Sequence, residues 1–298
     1  MQWRGRRQSS NIEDRRGGGA KKVGGVSIFG LIIAVVLWQV FGISPETTLG
    51  VTQQIQNQTQ SSTPVNETAD MAQTREFVAT ILADTEDVWT PIFAQAGSRY
   101  QEPSLVLFSN SVQSACGSAS SASGPFYCPA DQKVYLDTQF FRDMRVSMGI
   151  TGEKNSSELS RQDQAGDFAQ AYVIAHEVGH HVQTLLGISS QVRQAQAQAS
   201  TTAANNLSVR QELQADCFAG LWAKQNHERT QFLQQGDIEE ALDAAEKIGD
   251  DYLQQKAGGR IVPDSFTHGT SEQRKRWFYR GFQTGDVQQC DTFATREI

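Results

Sequence analysis

Three of the chain's five histidines fall within six residues: His176, His180 and His181. In the run AYVIAHEVGHHVQTLLG they build His176-Glu177-Val178-Gly179-His180, an H-E-x-x-H. On an α-helix, positions i and i+4 lie about 40° apart on one face, so both imidazoles can reach a single metal ion. Glu177 is offset by about 100° from His176, near enough to contact a metal-bound water without ligating the ion. Phe168, Tyr172, Val182 and Leu186 bury the neighbouring faces, where two unliganded imidazoles would be costly. The chemistry implied is zinc-assisted hydrolysis. Zinc lowers the pKa of its water toward about 7, and Glu177 takes the proton as that water attacks a peptide carbonyl, then returns it to the leaving amine.

A catalytic zinc wants three protein ligands and one open position. Downstream, RQELQADCFAGLWA places Glu212 and Asp216 at the same i, i+4 spacing. Glu212, on a helix facing the first, is the candidate third ligand. Asp216, one turn on, is placed to accept the outer N–H of a ligating histidine, which fixes its tautomer and raises its basicity. Alone, the two acids would read as a solvated pair. Beside an H-E-x-x-H, with Ala215, Phe218, Ala219 and Trp222 marking a buried face, the metal reading outweighs it, and one Zn2+ per chain is expected.

HEVGHHVQ followed by ELQADCFAGLWA, with the head RGRRQSSNIEDRRG, resembles the bacterial neutral zinc metallopeptidase family over nearly the whole chain. The resemblance implies a zincin-like domain with a gluzincin-like site: His176, His180 and Glu212 on zinc, and Glu177 as general base. A metzincin would need Gly at 183 and His at 186, where this chain has Gln183 and Leu186. The strand at 134–137 resembles the edge strand on which such peptidases hold an extended substrate by β-addition. A further donor is needed for the oxyanion. His268, in the loop before Arg274, is the candidate, and Arg274 would orient it or bind a substrate carbonyl. Related gluzincins carry His-Pro with an Arg six residues on; here it is His268-Gly269 with Arg274, a partial match. His181 reads as a neighbouring or surface group and His227 as solvated.

These groups need elements to carry them. Helical periodicity marks 72–95, 166–186 (Asp167 as N-cap), 189–232 broken near Asn205-Asn206, 237–256 and 270–283. Between the first two, SLVLF, GPFYC and KVYLD read as strands. The expected class is α+β, a small sheet with a mostly helical body.

The first 22 residues carry seven basic and two acidic groups, and the rest of the chain 19 basic and 31 acidic. An acidic body without a basic patch argues against a nucleic-acid partner. Residues 26–43 (VSIFGLIIAVVLWQVFGI) are 18 residues without a charge, about the length of a bilayer core as a helix. The reading is therefore a basic cytoplasmic head at 1–25, one transmembrane helix at 26–43, a polar linker at 44–70 and a metallopeptidase domain at 71–298. By the positive-inside rule the protein is single-pass in the inner membrane, with its N-terminus cytoplasmic and its catalytic domain periplasmic or otherwise extracytoplasmic. Four cysteines there permit disulfides; Cys116 and Cys128 pair most naturally, and Cys217 and Cys290 stay open between a bond and buried thiols. The expected function is a membrane-anchored zinc endopeptidase acting on peptide or protein substrates of the envelope. The alternatives are a non-cleaving zinc-bearing scaffold for envelope proteins and a zinc amidase acting on cell-wall peptides.

Overall fold

The runs SLVLF and KVYLD pack apolar side chains on both faces, and they form the two central strands of the sheet. The computed structural model describes residues 1–16, 68–146, 166–296 and 298. In it β2 (Ser104–Phe108) lies parallel to β6 (Lys133–Asp137), with Leu105 opposite Val134 and Leu107 opposite Leu136. β1 (Ile12–Asp14) adds parallel to β2, and β5 (Phe126–Cys128) adds antiparallel to β6, giving the order β1-β2-β6-β5. A hairpin of β3 (Ser111–Ser114) and β4 (Gly117–Ser120) turns at Cys116, which is disulfide-bonded to Cys128 of β5. The strand at 134–137 is thus interior. The edge strand on the helical side is β5, because the short antiparallel return after the hairpin covers β6.

The described helices are α1 (Ala69–Gln95), α2 (Thr138–Val146), α3 (Asp167–Leu185), α4 (Ile188–Gln196), α5 (Thr201–Thr230), α6 (Asp237–Lys247), α7 (Asp250–Lys256) and α8 (Ser271–Thr284). The α+β class stands, mostly helical with a small sheet. Two boundaries differ from expectation. The break after α4 falls at 197–200, where Ser200 caps α5 by accepting the Ala203 N–H; Asn205 and Asn206 lie within α5, and the Asn205 amide donates to the Asp264 carbonyl. Gly166, in the left-handed region at φ 81°, caps α3, while Asp167 is its first residue and binds the Met1 ammonium at 3.0 Å.

α5 and α8 cross with their backbones in contact. A Cβ on Gly220 would sit 2.0 Å from the Phe278 carbonyl oxygen, and one on Gly281 1.9 Å from that of Cys217. A second disulfide, Cys217–Cys290, ties α5 to the segment after α8. It closes the question the sequence left open.

The basic head is not a separate module. Met1–Asp14 and Thr68–Ile298 form one unit; Arg15–Glu67 forms another, of which Arg15 and Arg16 alone are described. Met1 and Trp3 are buried in the main core, Trp3 edge-on to Phe77. Arg6 pairs with buried Asp84, Arg7 with Glu86 and Asp87, all three on α1. The Asn11 carbonyl accepts the Leu105 N–H at 2.8 Å. Residues 1–14 of the expected basic head thus share a sheet and a core with the body. The run 26–43 lies outside the described residues; among those described, no helix is long and apolar enough to cross a membrane.

The crossing makes a test. Gly281→Ala forces a methyl into the α5 backbone, and overpacking of that kind should lower unfolding free energy by about 3 kcal/mol. Urea unfolding of the variant at the wild-type midpoint would show that α5 and α8 are not held this close.

Candidate metal centre

Helix α3 carries the motif on a nearly all-round apolar surface, so it is buried along its length and cannot rotate freely. Gly179, inside the H-E-x-x-H, is where α5 approaches: a Cβ there would lie 3.1 Å from the Ala215 Cα. That contact brings Glu212 and Asp216 against the histidines. His176 Nε2 lies 3.2 Å from Glu212 Oε2 and His180 Nε2 3.4 Å from Glu212 Oε1. One ligand atom from each of His176, His180 and Glu212 falls within 4.8 Å of the others. Two imidazole nitrogens and a carboxylate oxygen converging on one point are a donor set that suits zinc.

The outer nitrogens are committed elsewhere, which leaves both Nε2 atoms for the metal. His176 Nδ1 donates to Asp216 at 2.8 Å. His180 Nδ1 donates to the Gln183 carbonyl oxygen at 2.9 Å, and the Gln183 amide donates in turn to Gln211 and Gln214 on α5. Gln183 was noted in the sequence only as a departure from another pattern; its i+3 spacing from His180 was the available signal. Asp216, with no solvent exposure, also accepts the Tyr172 hydroxyl at 2.5 Å and two donors of Arg274 at 2.9 and 3.0 Å. Burial alone would raise the Asp216 carboxyl, but Arg274 and His176 hold it below its ordinary value. Glu212 is likewise held well below the carboxylate range by His180 and His176 against burial. Burial works against a charged His176, yet Asp216 and Glu212 push it up to about 10.

Arg274 was expected beside His268 or a substrate carbonyl. Its guanidinium instead clamps Asp216, because a fully buried carboxylate with one histidine needs a further cation. His268 is held by Asp250 at the start of α7: Asp250 accepts the backbone N–H of Thr267, His268 and Gly269 and the His268 Nδ1–H. Nothing local in the sequence marks Asp250, 18 residues away. The hydrogen bond to Asp250 raises the His268 pKa. His268 Nε2 makes no hydrogen bond among the described residues, and its ring lines one cavity of about 400 Å³ with His176, Glu177, His180 and Glu212. Glu177 makes no hydrogen bond or ion pair among the described residues. His181 is fully buried, donating from Nε2 to the Gln101 carbonyl at 2.6 Å and bonded through Nδ1 to the Tyr127 hydroxyl; it fastens β5 to α3 and is neither a ligand nor a surface group. His227, expected in solvent, accepts the Leu233 N–H.

A helix bearing H-E-x-x-H, a glutamate on the facing helix and an edge strand beside the cleft form an arrangement able to hold one zinc ion. The sequence comparisons agree. The family described as "Putative neutral zinc metallopeptidase" matches residues 1–293, and the chain belongs to it. It is 47% identical over 301 residues to the uncharacterized protein YpfJ of Escherichia coli K12, covering 99% of both chains. It is 42% identical over 220 residues to the uncharacterized protein Rv2575 of Mycobacterium tuberculosis H37Rv, covering 71% of this chain and 68% of that one. No solved structure matches it.

Replacing Asp250 by Asn removes the acceptor charge that favours the His268 imidazolium. The His268 pKa should then fall toward its ordinary value of about 6.5, read by NMR titration of the imidazole carbons. An unmoved titration would mean that Asp250 builds the loop without acting on the ring.

Proposed function

We propose that the protein is a zinc-dependent endopeptidase that works at the membrane on peptides or proteins of the cell envelope. The observation that carries this reading is the convergence of His176, His180 and Glu212 in a cavity that Glu177 also lines. Zinc held there supplies Lewis acidity and an acidic water near neutral pH. The chain's own groups do the rest. β5 has no strand partner on its outer edge among the described residues, and Phe126 and Tyr127 line the cavity, so an extended peptide can add as a further strand. Glu177 accepts the proton of the attacking water and delivers it to the leaving nitrogen. His268 Nε2 donates to the carbonyl oxygen as it gains charge.

Two disulfides support an oxidising compartment for the body. Because the head is packed in that body, we place both outside the cytoplasm, with residues 26–43 as the membrane attachment.

His176→Ala, His180→Ala and Glu212→Ala should each lose bound zinc, measured by metal analysis after gel filtration. Glu177→Gln should keep zinc and melting temperature while peptide turnover falls by at least about a thousandfold. Full zinc in the histidine variants would remove the metal site, and unchanged phenotypes in Glu177→Gln would favour a non-cleaving scaffold.

Topology is tested with single cysteines. Gln8→Cys in the head and Gln194→Cys in the body, both at exposed positions, should label alike with a membrane-impermeant maleimide added to spheroplasts. Labelling of the body alone would put the head across the membrane.

A further inference from the structure

The metal centre stands where two cavities meet. The first, of about 400 Å³, is walled largely by Pro125, Phe126, Phe140, Val173, Ile248 and Leu253. The second, of about 270 Å³, is walled by Thr184, Ser189, Arg193, Gln196, Ser208 and Gln211, with Pro129 beside them. Tyr127, His180 and Glu212 border both. The edge strand gives the cleft a direction: Phe126 faces the apolar cavity, Tyr127 the junction and Pro129 the polar cavity.

The polar groups of the second cavity are mostly spent on one another. Thr184 donates to Ser189 at 3.2 Å, the Gln211 amide to Ser189 at 3.3 Å, and the Gln196 amide to Ser208 at 2.8 Å. Arg193, on α4, is different. No carboxylate pairs with it among the described residues, and it is an exposed residue that lines the polar cavity beside Tyr127. The remaining charged groups on this wall, His180 and Glu212, belong to the metal centre. Asp131 acts on Tyr127, but it accepts the Ala115 and Lys133 N–H and the Tyr135 hydroxyl and does not line the cavity. Arg193 thus offers the cavity a guanidinium fork, the geometry that binds carboxylates with two parallel hydrogen bonds.

Resting on the peptidase reading, we propose that Arg193 selects substrates by binding a carboxylate. Antiparallel pairing, the stronger of the two ladders, would run a substrate opposite to β5, with its amino-terminal half in the polar cavity and its carboxy-terminal half in the apolar one. The preferred substrate then has an Asp or Glu side chain before the scissile bond and an apolar residue after it. The rest of the protein makes this selectivity distinctive, because the body is acidic overall and would repel such peptides elsewhere on its surface.

The test uses the full-length zinc-loaded protein and a library of acetylated, amidated decapeptides randomised at six central positions. Products read by mass spectrometry should show Asp and Glu enriched at one fixed position before the cut. Arg193→Glu should replace them with Lys and Arg at that position and lower kcat/KM for the acidic peptides at least tenfold. Cleavage without an acidic preference, or with one that Arg193→Glu retains, overturns the inference and leaves the peptidase reading standing. A binding arm removes the dependence on turnover. Glu177→Gln protein is titrated with fluorescent, amidated alanine-leucine decapeptides in which one glutamate is walked along the chain. Binding should tighten at least fivefold over the glutamine counterpart at one position, and Arg193→Glu should abolish the gain. A flat profile overturns the site whatever the activity. Arg193-dependent binding without any cleavage by the wild type keeps the site and removes the peptidase reading. A gain produced only by a free C-terminus, in otherwise neutral peptides, overturns the side-chain assignment in favour of a terminal carboxylate.

Discussion

Asp216 is a carboxylate with no access to water, and a buried charge of that kind is tolerable only when surrounded by donors. Its four contacts come from two other helices: Tyr172 and His176 from α3, and the two nitrogens of Arg274 from α8. His176, the candidate metal ligand, is therefore oriented by a group whose own position depends on how three helices pack. Loss of Arg274 would strand the carboxylate, and loss of Asp216 would strand the arginine. The ligand geometry and the core are one arrangement.

That arrangement needs close approach, and small residues supply it. Gly179 lets α5 reach the motif helix, and Gly220 and Gly281 let α5 and α8 touch backbone to backbone. The Cys217–Cys290 bond closes a loop of 73 residues around the same crossing, beside Asp216. By the loop-entropy estimate such a bond is worth about 4 kcal/mol against the unfolded chain. On the other side of the cleft, Cys116–Cys128 and the His181–Tyr127 contact hold β5, the strand on which a peptide would lie. Both walls are anchored independently of the substrate, which suits a site that must keep its ligands within a few tenths of an ångström.

What could be read from the sequence was what repeats at helical spacing. His176 with His180 and Glu212 with Asp216 are neighbours by the period of the helix alone, and the apolar residues between them announce burial. The class of the fold followed from the same periodicity. What could not be read were relations between elements. Strand order put 134–137 inside the sheet and made 126–128 its edge, because pairing is decided by where the chain returns. Arg274 went to Asp216 and Asp250 came to His268 across long separations, where no spacing rule operates. Gln183 lies between these cases: its distance from His180 was legible, but its role needed the carbonyl of Gln211 and the amide of Gln214 on the facing helix.

The head shows how a charge reads differently along the chain and in the fold. Read along the chain, its arginines beside an apolar run satisfy the rule that cytoplasmic flanks carry an excess of Lys and Arg. In the fold, Arg6 and Arg7 face Asp84, Glu86 and Asp87 on α1, and Lys133 of β6 reaches Glu13 of β1. Charges of both signs in the head are met by opposite charges of the body. A segment whose Arg6 and Arg7 pair with carboxylates of α1, and whose backbone extends the sheet, is positioned by folding.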